Sequence, residues 1–210
     1  MTASRTLAYL KPGAAKKLAA SFSELLSTKS IYFYYRIYPD SPRYAFNTAG
    51  SSLSRFSSLR GDYTVIYAAY DLETALYEAR IRDSLDLSPV RELSVQSLEG
   101  YVAVGIGQSV DDPFNLIDLT DGRAALQGVP TDVLRWSQHN EGPHFSQFIH
   151  DHIPGADGIY YLSRFTERPC VALFQDRVVD RLRQQRSAFE LARSRAVWLA
   201  IRALNITLTK

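Results

Sequence analysis

A chain of 210 residues, 46% of them hydrophobic, fits one domain with a sizeable core. Its net charge of +2 lacks the strong basic bias expected of a dedicated nucleic-acid binder. The single cysteine, Cys170, excludes an internal disulfide and a multi-cysteine zinc site, and its apolar surroundings mark a buried, inert thiol.

In chain order, Leu18, Phe22, Leu25 and Leu26 recur at helical spacing and predict a short amphipathic helix over residues 14–28. Lys16 and Lys17 precede an apolar stretch that Ser23 and Glu24 interrupt too early for a secretory signal. Residues 30–37 are aromatic and β-prone, a strand ended by Pro39 and Pro42. Residues 41–62 form a long Ser-rich segment without periodicity, the kind of loop that is functional or disordered. Residues 64–69 predict a strong strand. Asp71 is a good N-cap for a helix over 72–85, which Pro89 ends.

Strands are expected over 90–95, 101–106 and 116–119. Asp121 starts a helical turn or two closed by Gly128 and Pro130, and residues 131–136 and 145–150 look helical. Two further strands, 158–162 and 171–174, flank a turn around Glu167 and Pro169. Residues 178–204 are expected to form one or two helices with an Arg-rich, solvated face. This mixed order favours an α+β domain over a regular βαβ array. No run approaches the ~20 apolar residues of a membrane span, so a cytoplasmic protein is the expectation.

Candidate chemistry sits at the element ends. Arg36 closes an aromatic strand, where a guanidinium can fork onto a phosphate or carboxylate; position alone favours a surface arginine. Tyr67 lies in an apolar strand, and its ring can stack on a flat base, although among thirteen tyrosines a core role is the default. Glu78 borders the apolar face formed by Leu72, Ala75, Leu76 and Ala79. It can turn into a cleft or pair with Arg82 at i+4, and spacing alone favours the pair. Ser163, with no His–Asp partner in view, suits hydrogen bonding to a ligand or to Glu78 better than nucleophilic attack. The histidines at 139, 144, 150 and 152 lack metal-ligand spacing, and no glycine-rich phosphate loop occurs.

Taken in order, these islands resemble the RES domain family, named for an Arg, a Glu and a Ser. Tyr35-Arg36 matches the Arg motif. Gly50 through Ser54-Arg55-Phe56 matches the loop motif, with Phe56 where many members carry Trp. Ile66-Tyr67-Ala68-Ala69 through Thr74-Ala75-Leu76-Tyr77-Glu78 matches the Tyr/Glu motif. Asp157-Gly158-Ile159-Tyr160 through Ser163-Arg164, followed by Val171-Ala172-Leu173-Phe174, matches the Ser motif.

The resemblance implies a fold similar to ADP-ribosyltransferase toxins and a bacterial toxin that depletes NAD by cleaving its nicotinamide–ribose bond, by hydrolysis or phosphorolysis. It implies Glu78, Arg36, Tyr67 and Ser163 as catalytic residues, with Arg36, Tyr67, Arg55, Phe56 and Arg164 contacting substrate. NAD is then the substrate, and neither cofactor nor metal is required. The expected partner is an antitoxin or immunity protein, of Xre type in this family, with a homodimer as a further expectation and no direct contact with nucleic acid or membrane. Cytoplasmic action fits, as does export by a dedicated machine. The expected organisation is an N-terminal helical segment over 1–30, a catalytic domain over 31–176, and C-terminal helices over 177–210 packed on it. Two other readings stay open: a mono-ADP-ribosyltransferase modifying a protein, against which Leu76 stands where arginine-directed enzymes carry a second carboxylate, and a non-enzymatic module that binds an acidic partner.

Overall fold

A computed structural model of the chain describes residues 7, 11–40, 54–82, 91–109, 111–135 and 141–209. Among these, no helix is long and apolar enough to cross a membrane. The expected features at Pro42, Gly50, Pro89, Trp136 and His139, and most of the Ser-rich loop, lie outside the described residues.

The first helix, α1 (Pro12–Ser23), carries Pro at its start, where the missing N–H costs nothing. It stops earlier than its apolar spacing predicts. Leu25 is buried, and β1 (Leu26–Lys29) pairs antiparallel with β6 (Phe114–Asp118), so a neighbouring strand overrides helix propensity here. Strands β2 (Tyr34–Pro39), β3 (Val65–Ala69) and β5 (Tyr101–Gln108) fall close to expectation. The short β4 (Glu92–Ser94) runs into a 3-10 turn over Val95–Leu98. Residues 121–128 form turns rather than a helix, whereas α3 (Thr131–Arg135) and α4 (Glu141–His152) are helical. Strands β7 (Gly158–Leu162) and β8 (Pro169–Phe174) follow, then the single turn α5 (Gln175–Val178).

The largest departure is at the C-terminus. In place of one or two helices over 178–204, the chain makes a nine-residue strand, β9 (Leu182–Glu190), and one helix, α6 (Arg195–Ala203), before β10 (Thr207–Thr209). Arg, Gln and Ala are good helix formers, but hydrogen bonding to β5 decides the local outcome.

The eight-stranded sheet has the order β1-β6-β7-β8-β3-β2-β5-β9, with β4 and β10 forming a separate parallel pair. It therefore takes strands from all three segments into which residues 1–30, 31–176 and 177–210 divide the chain. Only β6 and β7 run parallel within it. Phe114 and Leu116 of β6 share one buried cluster with Val104 and Ile106 of β5, although four strands separate them, so the sheet curls on itself. A second cluster is covered by α1, α3 and α4, with Phe22 edge-on to Phe145 and Phe148. A third lies between the sheet's other end and α6, where Leu76, Ile81, Ala103, Val197 and Ile201 meet. The architecture is the α+β single domain expected from the order of elements.

Two glycines test this packing. A Cβ on Gly142 of α4 would sit 2.1 Å from the carbonyl oxygen of Arg55, whereas a Cβ on Gly13 of α1 would meet nothing. Gly142→Ala is therefore expected to cost about 1–3 kcal/mol, as overpacking does. Gly13→Ala should be neutral or stabilise by up to about 1 kcal/mol. Urea denaturation of the two variants checks both, and equal stabilities would contradict the packing described.

Candidate active site

The site is built on the unit β3–helix and closed by the turn after β7. The Asp71 side chain accepts the Thr74 N–H at 2.8 Å and starts helix α2 (Leu72–Leu76) as its spacing predicts. The helix then widens into a π-turn over Tyr77–Ile81, with the Arg82 N–H donating to the Tyr77 carbonyl five residues back. Leu76 and Ile81 are both fully buried in the same cluster. Five residues apart in an α-helix they would point about 140° from one another. The wider turn lets both face the core. Ala79, expected on the apolar face, is exposed, and Ile81 takes that role. Such π-turns recur at functional sites.

Glu78 lies in this turn, half-buried. Its Oε1 accepts the hydroxyl of Ser163 at 2.6 Å. Ser163 is fully buried immediately after β7, and its Oγ in turn accepts the Phe165 N–H at 3.3 Å. Two further contacts hold the two segments together. The hydroxyls of Thr74 and Thr166 are 2.9 Å apart, and the rings of Tyr77 and Phe165 stack at 4.4 Å. Glu78 and Ser163, 85 positions apart in sequence, are thus in direct contact.

Tyr67 is placed differently from a freely stacking ring. Its phenol oxygen accepts the Phe56 N–H at 2.7 Å and the Ser54 hydroxyl at 2.9 Å. Burial pushes the phenol up to about 12, against the lowering effect of these donors. The phenol therefore anchors the turn at residues 54–57. Phe56 itself is fully buried, edge-on to Tyr161 at 5.3 Å, and its carbonyl accepts the Ser146 hydroxyl. As placed, its ring belongs to the core.

Arg55 is buried as well. Its Nη2 donates to the Val133 carbonyl at 2.6 Å, and the guanidinium lies 4.9 Å from the Phe56 ring centroid and 4.8 Å from that of Tyr161. Burial lowers its pKa; the nearby Tyr161 and Glu78 oppose that shift. Arg36 on β2 is 3% exposed, and its Nη1 reaches the Tyr67 carbonyl at 3.4 Å. Strands β2 and β3 pair only at Tyr35 and Ala69, and Arg36 spans the gap where they part. Burial lowers its pKa to about 10. By strand alternation Arg36 shares a face with Tyr34 and Tyr38, while the Tyr67 ring packs in the cluster behind the opposite face. Arg164 is exposed, with its guanidinium over the Phe165 ring at 4.3 Å.

No sequence spacing signals the Thr74–Thr166 and Tyr77–Phe165 clamps. Nor does any signal the setting of His150, whose ring stacks on Tyr63 at 4.0 Å with its Nε2 3.0 Å from Asp176. Cys170 is buried, and burial pushes its thiol up.

A buried arginine spanning a strand gap, a tyrosine-anchored turn and a Glu–Ser contact fall on the residues of the four family motifs. The family model for the RES domain matches residues 33–195. The chain belongs to the RES domain family. No curated protein sequence matches it. Among solved structures, it is similar in fold to a chain of the M. tuberculosis MbcT–MbcA toxin–antitoxin complex, with a TM-score of 0.63 and 17% identity over 90% of this chain and 98% of that one. The family match ends at the first residue of α6, so most of α6 and β10 lie beyond it.

The anchoring role of Tyr67 has a measurable consequence. Tyr67→Phe removes the acceptor of the buried Phe56 N–H and is expected to cost about 1–3 kcal/mol of stability. Tyr70→Phe, at a half-exposed ring, should stay within about 0.5 kcal/mol. Denaturant midpoints read both, and a neutral Tyr67→Phe would show that the phenol holds nothing.

Proposed function

We propose that this RES domain acts as the toxin of a toxin–antitoxin pair and cleaves the nicotinamide–ribose bond of NAD. The observation that carries the reading is the 2.6 Å hydrogen bond from Ser163 to Glu78 on a π-turn behind β3. Nicotinamide already leaves as a neutral base when it takes the C–N bonding pair, so the site needs no strong general acid. What it needs is negative charge beside the ribose ring as the oxocarbenium ion forms, and the carboxylate of Glu78 supplies it. Ser163 keeps that carboxylate oriented. Water then adds to the anomeric carbon and loses a proton, giving ADP-ribose, or phosphate adds to give the 1″-phosphate. Arg36, Arg55 and Arg164 are the candidate cations for the pyrophosphate, and only Arg164 among them is exposed in this state. The similar solved structure is a toxin–antitoxin complex, which supports an antitoxin as partner. Transfer of ADP-ribose to a protein arginine is the weaker reading, because Leu76 is fully buried and fills the core where that chemistry places a second carboxylate.

Purified protein freed of any partner should release nicotinamide from NAD. Glu78→Gln should lower turnover by about two to three orders of magnitude, as removal of a transition-state electrostatic stabiliser does. Expression of the wild type should arrest growth and Glu78→Gln should relieve the arrest. Unchanged NAD by chromatography, or full turnover in Glu78→Gln, would sink the proposal.

Arg36 separates function from stability. A buried guanidinium is costly to desolvate, and relief of that cost offsets what its removal loses in polar contacts. Arg36→Met is expected to keep or raise the melting temperature while abolishing NAD cleavage. A large fall in melting temperature would instead mark Arg36 as a structural residue.

A further inference from the structure

The outer face of α6 is not the surface of an ordinary solvent-facing helix. Its inner face, Val197, Ala200 and Ile201, is buried against the core. Arg195, Trp198, Leu199 and Arg202 are exposed and spaced i, i+3, i+4, i+7, so they form one outward stripe. Trp198 is 46% and Leu199 56% exposed. The indole is not loose: its Nε1 donates to the Ala192 carbonyl at 3.0 Å. An ordered tryptophan beside an aliphatic side chain, with an arginine one turn to either side, has the composition of a protein-binding centre.

Charge says what kind of partner fits. Arg181 is ion-paired with Asp112 and Asp157; beyond it, residues 182–210 hold five arginines and Lys210 against Glu190 alone, a net of +5, while the whole chain carries +2 and the remaining residues therefore sum to −3. Neighbouring β9 carries part of that charge. It ends the sheet, residues 183–188 are exposed without a break, and Arg183 and Arg186 lie among them. Two register shifts between β5 and β9 interrupt the ladder, which discourages a long added strand and points to recognition by side chains. Two copies meeting stripe to stripe would oppose arginine to arginine.

We propose that the Arg195–Trp198–Leu199–Arg202 stripe of α6 docks an acidic, amphipathic segment of another protein. Its carboxylates meet the arginines and its apolar residues cover Trp198 and Leu199. The site stands apart from the Glu78–Ser163 contact, and the proposal does not rest on NAD cleavage.

The test uses the full chain and three probes: an amphipathic peptide of Glu and Leu, the same peptide with Lys for Glu, and a single-stranded oligonucleotide of matching negative charge. Trp198 fluorescence, assigned with Trp198→Phe, follows binding. The Glu–Leu peptide should bind with an affinity that falls with salt. It should weaken about tenfold or more in Arg195→Glu/Arg202→Glu, the scale of lost charge complementarity, and in Leu199→Ala. These exposed substitutions leave the fold intact, checked by circular dichroism. Equal binding of the Lys peptide, no response to charge reversal, or no binding of the Glu–Leu peptide at low salt would overturn the proposal. So would tighter binding of the oligonucleotide, which would make the stripe a nucleic-acid surface, or self-association in sedimentation that the charge reversal abolishes.

Discussion

A carboxylate held half inside a protein needs a donor, and in this fold Ser163 provides it to Glu78 at 2.6 Å. Much of the surrounding structure serves that one contact. Ser163 follows β7, and Glu78 follows β3; β8 lies between these two strands and pairs with both. The register of β8 thus sets the height at which the two chain segments emerge. The Thr74–Thr166 hydrogen bond and the Tyr77–Phe165 stack then fix them laterally. A hydroxyl that accepts the Phe165 N–H has its proton directed elsewhere, and the carboxylate is where it goes.

The remaining polar groups show how much burial this domain tolerates. Arg36 and Arg55 are both almost wholly buried, and burial lowers the pKa of each. Their settings differ. Arg55 lies between two aromatic rings with a carbonyl partner on α3, an arrangement that holds the 54–57 turn in the core. Arg36 crosses a place where two strands have parted, with a long 3.4 Å contact to a carbonyl.

The strongest local signals were legible in the sequence. The strand over 64–69, the Asp71 cap and the strand over 158–162 depend on alternation and capping chemistry within a few residues, and each is found where that chemistry puts it. The strands β1 and β9 were not legible. Their side chains suit a helix, and only distant partners make them strands: β6, 85–91 residues from β1, and β5, 74–88 residues from β9. The site divides in the same way. The order of motifs pointed to Glu78 and Ser163, but the π-turn, the threonine pair and the anchoring role of the Tyr67 phenol arise from contacts no spacing encodes. Tyr67 resembles a stacking residue in sequence; its oxygen's two donors come from a turn that has no periodicity of its own.

The mistaken segment is also the one that joins the two halves of the functional picture. Read as solvated helices, residues 178–204 would be an appendage. As built, β9 extends the central sheet, and α6 lies directly against the helix that carries Glu78, with Val197 and Ile201 sharing a cluster with Leu76 and Ile81. Leu76 and Ile81 are the two residues whose common burial requires the π-turn. The inner face of α6 therefore stabilises the unusual helical geometry at Glu78, while its outer face presents arginine, tryptophan and leucine to solvent. One short helix thus backs the candidate active site with Val197 and Ile201 and carries the exposed Trp198 and Leu199 on its other side.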